Sequence, residues 1–379
     1  MGIPFNKPYL SGNELEYITD ASAIGHLSGN GKYTENCHNF FQNRYKFKKC
    51  LLTTSCTDAL EMAAMLIQIK HGDEVIIPSF TFVSTALAFV REGANIMFAD
   101  SRPDHPGIYE EQVESLITPK TRAIVVVHYA GVACDMDLIM TLAEKYNLFV
   151  IEDAAHAINS YYKGRSLGSI GHLGCFSFHE TKSIHCGEGG MLVINDDRLI
   201  ERADIVWNKG TNRSAFSKGL VNYYEWIDTG SSFQLSELSA AFLFSQLENM
   251  DTIRERRQSI WDYYYFNLKK LADSDTIRMP SIPNYATNNA SIFYLICRTE
   301  NELTNLINHL LINDIQSVFH YRCLHESKFM QEIRIQKSLD LINAKLYQQR
   351  LLRLPMYFSL SQDDQIRIIL SIYDFYKID

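Results

Sequence analysis

The chain has 379 residues, 46% of them hydrophobic and 21% charged, which is the composition of an ordinary globular protein with room for a large core. Its formal net charge of −8 argues against a general nucleic-acid-binding protein. The eight cysteines form no CxxC pair, so they signal neither a zinc site nor a redox dithiol. We therefore expect reduced, mostly buried thiols, no metal and a cytoplasmic location.

The N-terminal stretch MGIPFNKPYL lacks the apolar region of a signal peptide. No apolar run approaches the roughly 20 residues that would span a bilayer. We expect a protein that binds neither membrane nor nucleic acid.

From about residue 50, short apolar runs alternate with longer amphipathic segments. The predicted strands are 50–53, 74–78, 95–99, 122–128, 147–152, 173–178 and 190–195. The predicted helices are 12–22, 33–46, 56–70, 83–92, 134–146 and 197–208. Strands that alternate with helices predict βαβ units and a mainly parallel sheet, hence an α/β fold.

The pattern changes near residue 250. Residues 234–272 read as one long helix with a break near 249–251. A smaller α+β unit follows, with strands at 291–297 and 315–319 and helices at 301–313, about 339–351 and 362–377. We expect a large α/β domain over 1–250, including the N-terminal helices, and a small C-terminal α+β domain over 251–379.

One lysine, Lys182, follows the strand at 173–178 and precedes the glycine-rich turn at 187–190. That position can present a nucleophilic amine to a carbonyl group of a cofactor. Ser177 alternates with two phenylalanines and should point away from them, toward the opposite face of the strand.

Ligands of open α/β sheets bind beyond the carboxyl ends of the strands, where further polar residues lie. Cys56 and Thr57 begin a helix whose free N–H groups suit a phosphate, although a simple helix cap is the commoner reason for such residues when they are taken alone. Asp153 could pair with a protonated ring nitrogen, and His156 could reach the same ring, or the acid could form a salt bridge. Phe82 could stack on a flat ring, or it could be a core residue.

Taken together, these residues specify a ligand with an aldehyde, a basic ring nitrogen, a planar ring and a phosphate. Pyridoxal 5'-phosphate has all four. Lys182 would form the Schiff base, and Asp153 would keep the ring nitrogen protonated so that the ring accepts electrons.

The stretches GDEVIIPSFTFVSTA (72–86), VIEDAAHA (150–157), FSFHETK (176–182) and GEGG (187–190) resemble the DegT/DnrJ/EryC1/StrS family of sugar aminotransferases. The resemblance implies fold-type I of the pyridoxal-phosphate enzymes and a homodimer with shared active sites. It makes Lys182 the catalytic lysine and Asp153 the partner of the ring nitrogen. It places His156 beside the phenolic oxygen, Phe82 on the ring, and Cys56, Thr57 and Ser177 on the phosphate.

The stretches VHYAGVAC (127–134), KGTNR (209–213), DTGSSF (228–233), VFHY (318–321) and LLRLP (351–355) are most similar to one branch of that family. The branch transfers an amino group from L-glutamate to a dTDP-4-keto-6-deoxyhexose, yielding dTDP-4-amino-4,6-dideoxygalactose for cell-surface polysaccharide. Many relatives send an asparagine from the partner subunit to the phosphate. Ser231 and Ser232 stand there instead, and we expect them to take its role.

Two further features bear on the substrate. The segment 205–224 contains Lys209 and Arg213 and no acidic residue, so it is a candidate for the nucleotide diphosphate or the donor carboxylate, or a solvated basic loop. His320 and Tyr321 are candidates for the sugar pocket, or a structural pair. The run Ile184-His185-Cys186 departs from the family pattern and is expected to influence which sugar fits.

Three alternatives remain at this stage. The enzyme could give the epimeric 4-amino-glucose product or a 3-amino sugar. It could be a sugar 3-dehydratase, a branch that replaces the lysine by histidine, so Lys182 argues against it. It could also be a non-catalytic regulator on the same fold, which should lack the pair Lys182 and Asp153.

Overall fold

The computed structural model describes residues 2–333 and 340–377. Within them, the strands are β1 (Lys49–Thr53), β2 (Glu74–Pro78), β3 (Asn95–Ala99), β4 (Thr121–Val127), β5 (Phe149–Asp153), β6 (Tyr161–Tyr162), β7 (Arg165–Ser166), β8 (Leu173–Ser177), β9 (Gly190–Ile194), β10 (Tyr294–Ile296), β11 (Val318–Phe319) and β12 (Leu351–Arg353).

The helices of the same residues are α1 (Glu14–Ile24), α2 (Lys32–Tyr45), α3 (Cys56–Leu66), α4 (Ser84–Arg91), α5 (Glu110–Val113), α6 (Met136–Tyr146), α7 (Ile200–Trp207), α8 (Arg213–Ser217), α9 (Glu237–Glu248), α10 (Met250–Asp273), α11 (Glu300–Ile312), α12 (Lys328–Ile333), α13 (Ile342–Arg350) and α14 (Gln362–Tyr376). No helix of this described part is both long and apolar enough to cross a membrane.

The central sheet has the strand order β1-β9-β8-β5-β4-β2-β3. The neighbouring pairs β3–β2, β2–β4, β4–β5 and β5–β8 of this sheet are parallel, whereas β9 runs antiparallel to both β8 and β1. The predicted, mainly parallel α/β sheet is therefore confirmed. Helices cover both faces, so the strands are buried on both sides, which is why they read as short continuous apolar runs.

The sheet topology decides where the functional side chains meet. Because β1, β2, β5 and β8 run in the same direction, their carboxyl ends share one edge of the sheet. The reversed strand β9 begins at that same edge, where Gly190 pairs with Ser177 on one side and with Thr53 on the other.

The C-terminal unit, formed by α10 to α14 and a sheet of order β10-β12-β11, has a hydrophobic core of its own. Its sheet differs from the sequence prediction. The strands expected at 291–297 and 315–319 shrink to β10 and β11. The helix expected over about 339–351 ends one residue earlier, at Arg350, and residues 351–353 form the central strand β12. β12 pairs with both neighbours, so tertiary pairing outweighs the helical pattern before it.

Most other elements lie where the pattern placed them. The long helix expected over 234–272 is divided into α9 and α10, with the break at Asn249. The helix expected from about 339 begins at Ile342, and residue 339 itself lies outside the described residues.

The division into domains at residue 250 stays a prediction. All eight cysteines are free thiols and, apart from half-buried Cys56, buried.

Candidate active site

A cavity of about 590 Å³ lies between the carboxyl edge of the central sheet and the C-terminal unit. That volume is in the range of pockets that hold a cofactor and a small substrate. The cavity brings together nine residues predicted from sequence: Cys56, Thr57, Phe82, Asp153, His156, Ser177, Lys182, His320 and Tyr321.

Lys182 lies just beyond β8, in a turn closed by a 2.9 Å hydrogen bond from its backbone N–H to the carbonyl of His179. The pKa of the amine is lowered to about 8, chiefly by burial. The nearby guanidinium of Arg353 acts in the same direction, whereas Cys56 and Asp153 act in the opposite one. A larger share of the amine is thus neutral near pH 7 than for an exposed lysine, and a neutral amine is the nucleophilic form.

Asp153 is the last residue of β5 and is buried. Its carboxylate accepts a 2.7 Å hydrogen bond from the Thr85 hydroxyl and a 3.2 Å hydrogen bond from the backbone N–H of Ala155. Burial raises its pKa, while those two donors and Lys182 oppose the shift. A buried carboxylate whose charge is disfavoured in this way favours a cationic group beside it.

The turn before α3 also lines the cavity. Ser55 caps the helix by accepting a 3.0 Å hydrogen bond from the N–H of Asp58, and the first N–H groups of a helix have no partner inside it. The glycine at 190 is required here, because a Cβ on it would lie 2.4 Å from the carbonyl oxygen of Ser55 and 2.5 Å from the nitrogen of Cys56. This close approach brings β9 against a turn well suited to an anion.

The aromatic and imidazole side chains line the remaining walls. Phe82 is 55% exposed and faces the cavity, so its interpretation as a core residue is wrong. His156 accepts a 3.4 Å hydrogen bond from the N–H of Ala130, and burial lowers its pKa well below the usual value, so the ring is neutral. The ring of Tyr321 lies 6.1 Å from that of Phe82.

Four predicted residues do not join this cavity. Lys209 and Ser232 line a separate surface groove, and Arg213 is exposed on α8. Ser231 is also exposed, and its carbonyl accepts a 3.0 Å hydrogen bond from the N–H of Lys209. The expectation that the two serines reach the site of a partner subunit stays a prediction.

The altered run 184–186 also lies outside the cavity lining. His185 is buried and donates a 3.1 Å hydrogen bond from Nε2 to the carbonyl of Tyr9. It therefore contacts the N-terminal segment, and the expectation that this run influences which sugar fits stays a prediction.

Sequence reasoning missed Arg353 at the end of β12, whose guanidinium lines the cavity. Within residues 2–333 and 340–377, no carboxylate forms an ion pair with it, and its buried Nε has no hydrogen-bond partner. The signal available in the sequence was a single charge inside the apolar stretch LLRLPM (351–356).

Comparison with known proteins agrees with this geometry. The model of the DegT/DnrJ/EryC1/StrS aminotransferase family matches residues 8–373. The chain belongs to this family. Its curated relatives include GDP-perosamine synthase of Escherichia coli O157:H7, 32% identical over 381 residues that cover 99% of each chain. The spore coat polysaccharide biosynthesis protein SpsC of Bacillus subtilis is 31% identical over 384 residues, 99% of this chain and 97% of that one.

Two solved structures superimpose over the whole chain. The aminotransferase TlmJ from Streptoalloteichus hindustanus has a TM-score of 0.91 and 25% identity, covering 100% of this chain and 99% of its own. DesV from S. venezuelae, solved with a bound intermediate, has a TM-score of 0.90 and 27% identity over 100% of this chain and 99% of its own.

The protein is a sugar aminotransferase, and as a member of this family it uses pyridoxal phosphate as its cofactor. The residues present fit that group. Asp153 is a buried carboxylate suited to a cation, Lys182 is a half-buried lysine whose amine has a lowered pKa, and the turn before α3 is suited to a phosphate. Family membership also excludes the non-catalytic regulator.

Proposed function

We propose that this aminotransferase, as a homodimer, moves the amino group of L-glutamate to C4 of a dTDP-4-keto-6-deoxyhexose. The products are 2-oxoglutarate and dTDP-4-amino-4,6-dideoxygalactose. The observation that carries the donor half of the proposal is the unpaired guanidinium of Arg353 in the same cavity as Lys182.

The donor argument rests on charge. Arg353 is half-buried, and burial lowers its pKa, because a desolvated cation without a counter-charge is disfavoured. An amino acid brings a carboxylate that matches the planar guanidinium with two parallel hydrogen bonds. We assign Arg353 to the donor carboxylate, which places the amino group of the donor on the side of Lys182.

The other residues have the following roles in the proposal. When bound, pyridoxal phosphate supplies the ring that accepts electrons from the carbon being deprotonated. Lys182 Nζ removes the proton from the donor Cα and later delivers a proton to the sugar carbon. Asp153 holds the ring nitrogen in its protonated form, His156 lies beside the phenolic oxygen, and Phe82 stacks on the ring.

The phosphate contacts in the proposal come from the turn before α3 and from β8. Cys56 and Thr57 offer their backbone N–H groups, and Ser177 offers its hydroxyl, which already accepts a 3.4 Å hydrogen bond from the N–H of His179. Ser231 and Ser232 of the partner subunit complete this end.

The sugar half rests on resemblance and on the opposite wall of the cavity. His320 and Tyr321 face the cavity from the C-terminal unit, and we assign them to the keto sugar. Lys209 and Arg213 are assigned to the diphosphate of a substrate in the partner's site, because neither lines this cavity. A second candidate is a GDP-linked keto sugar, which is favoured by the similarity to GDP-perosamine synthase.

Two measurements test the proposal. L-Glutamate alone should abolish the visible absorption band of the cofactor, and dTDP-4-keto-6-deoxyglucose should then restore it. NMR of the product should show an axial amine at C4, as in the galacto configuration. A band that glutamate leaves unchanged contradicts the donor, whereas turnover only with the GDP sugar, an equatorial amine or an amine at C3 contradicts the acceptor or product.

A further inference from the structure

The N-terminal segment, residues 3–9, connects the C-terminal unit to the central sheet across the mouth of the cavity. At one end, Ile3 is only 2% exposed and belongs to the core of the C-terminal unit. Its N–H donates to the carbonyl of Asp314 at 2.7 Å, and its carbonyl accepts from the N–H of Gln316 at 2.9 Å. This end is thus fixed by both packing and backbone pairing.

The other end of the segment is fixed to the sheet unit. The carbonyl of Tyr9 accepts hydrogen bonds from Gln246 Nε2 at 2.9 Å and from His185 Nε2 at 3.1 Å. The Tyr9 ring also stacks on Phe358, which lies between β12 and α14, with the centroids 3.7 Å apart. Between the two ends, Asn6 Nδ2 donates at 3.3 Å to the carbonyl of Glu180, two residues before Lys182.

The middle of the segment carries Phe5 into the cavity lining. The guanidinium carbon of Arg353 lies 4.8 Å from the centroid of the Phe5 ring, within the range of a cation–π contact. The Phe5 N–H donates at 3.3 Å to Gln316 Oε1, which helps to fix the backbone that carries the ring.

A second contact restrains the same guanidinium. Arg353 Nη1 lies 3.2 Å from His320 Nε2. Because arginine can only donate, His320 Nε2 is the acceptor, and His320 Nδ1 carries the hydrogen and donates to the hydroxyl of Tyr129 at 3.0 Å. Burial and the nearby Arg353 lower the pKa of His320 well below its usual value, which agrees with a neutral ring.

We propose that Phe5 is a positioning residue for the amino donor, holding the Arg353 guanidinium against His320 so that its unpaired edge faces the donor carboxylate. This inference rests on the proposed role of Arg353. It gives the N-terminal segment a part in donor binding and gives His185, which anchors that segment, an indirect one. Without the ring, the long arginine side chain gains rotamers that must be lost again when a carboxylate binds.

The test compares Phe5→Leu, which keeps an apolar side chain but removes the aromatic face, with the conservative variant Phe5→Tyr. The matched control is Phe266→Leu, which makes the same change at a 78% exposed position on α10. The dissociation constant of maleate, a dicarboxylate with no amino group, is measured by calorimetry on the cofactor-loaded enzyme. For Phe5→Leu we expect this constant and the KM for L-glutamate to rise about five- to tenfold.

The values of kcat and of KM for the keto sugar should stay within about twofold for Phe5→Leu, because only uniform binding of the donor is removed. Phe5→Tyr should restore wild-type maleate binding, and Phe266→Leu should match wild type throughout. Unchanged maleate binding in Phe5→Leu overturns the inference. An equal rise in the KM for L-glutamate and the KM for the keto sugar also overturns it. If wild type binds maleate but does not react with glutamate, the proposed function fails, and the maleate series still decides the role of Phe5.

Discussion

The two walls of the cavity are built in different ways. On the sheet wall, Asp153 has two hydrogen-bond donors within the large unit, and Lys182 lies in a turn between paired strands. On the opposite wall, Arg353 has one hydrogen bond, to His320, one ring contact, to Phe5, and no ion-pair partner in the described part of the chain. The first wall is preorganised for chemistry, whereas the second keeps a charge available for a substrate.

The largest expected effect is on the sheet wall. Lys182→Ala should lower kcat by at least about 10⁴-fold, because it removes both the nucleophile and the proton carrier. The cofactor should still bind through its ring and phosphate, which equilibrium dialysis can measure. The control is Lys120→Ala, at an exposed position beside β4, which should leave kcat unchanged. Normal turnover of Lys182→Ala would refute the assignment.

Asp153→Asn should have the next largest effect. The amide keeps the shape and can keep the hydrogen bond with Thr85, but it removes the charge that stabilises a protonated ring nitrogen. We expect kcat to fall about 10²- to 10³-fold, the range seen when one preorganised electrostatic contact is removed. The check is steady-state kinetics beside Asp104→Asn, an exposed aspartate of the sheet unit that lies outside the cavity lining. A fall of less than about threefold would show that the charge is not needed.

Arg353→Lys should act on the other wall and therefore on a different constant. Lysine keeps the charge but loses the two-pronged geometry and the flat stacking face. We expect the KM for L-glutamate to rise about 10- to 100-fold, with a smaller change in kcat. If kcat fell while the KM for glutamate stayed constant, the division between the two walls would be wrong.

The smallest expected effect is a pH dependence in the cofactor-free protein. Burial lowers the pKa of Lys182 to about 8, so the amine is protonated below that pH and neutral above it. The rate of pyridoxal phosphate incorporation, followed by the rise of its visible band, should increase with pH and level off above about pH 8. A rate that keeps rising to about pH 10, the range of an exposed lysine, would show that the amine is not desolvated.

The residues of the sheet wall could be predicted from the sequence because their positions depend on short local patterns. Asp153 and Lys182 each follow a short buried strand, and the carboxyl ends of parallel strands must share one edge. The other wall depends on pairing that no local pattern carries. Arg353 reaches the cavity only because residues 351–353 form the middle strand between β10 and β11, where no strand was expected. Phe5 reaches it because Ile3 pairs beside Ile315, across almost the whole chain.

The sequence left two interpretations open for some single residues, and their positions in the structure, rather than their residue types, decide between them. Phe82 could be core or cavity lining by its sequence, and only its exposed ring decides between them. For Lys209 and Arg213 the sequence suggested a binding site, because they lie in a basic segment without acidic residues. In the single chain, both lie outside the cavity.

Gly190 pairs with Ser177 on one side and with Thr53 on the other, so a single residue lies between the strand leading to Lys182 and the strand leading to the turn before α3. These three strands act as a rigid spacer. The distance between the lysine turn and the turn before α3 is set by backbone hydrogen bonds of the sheet, and it does not depend on where the C-terminal unit lies. If that unit moved, the distance between the two turns proposed to anchor the cofactor would therefore stay the same.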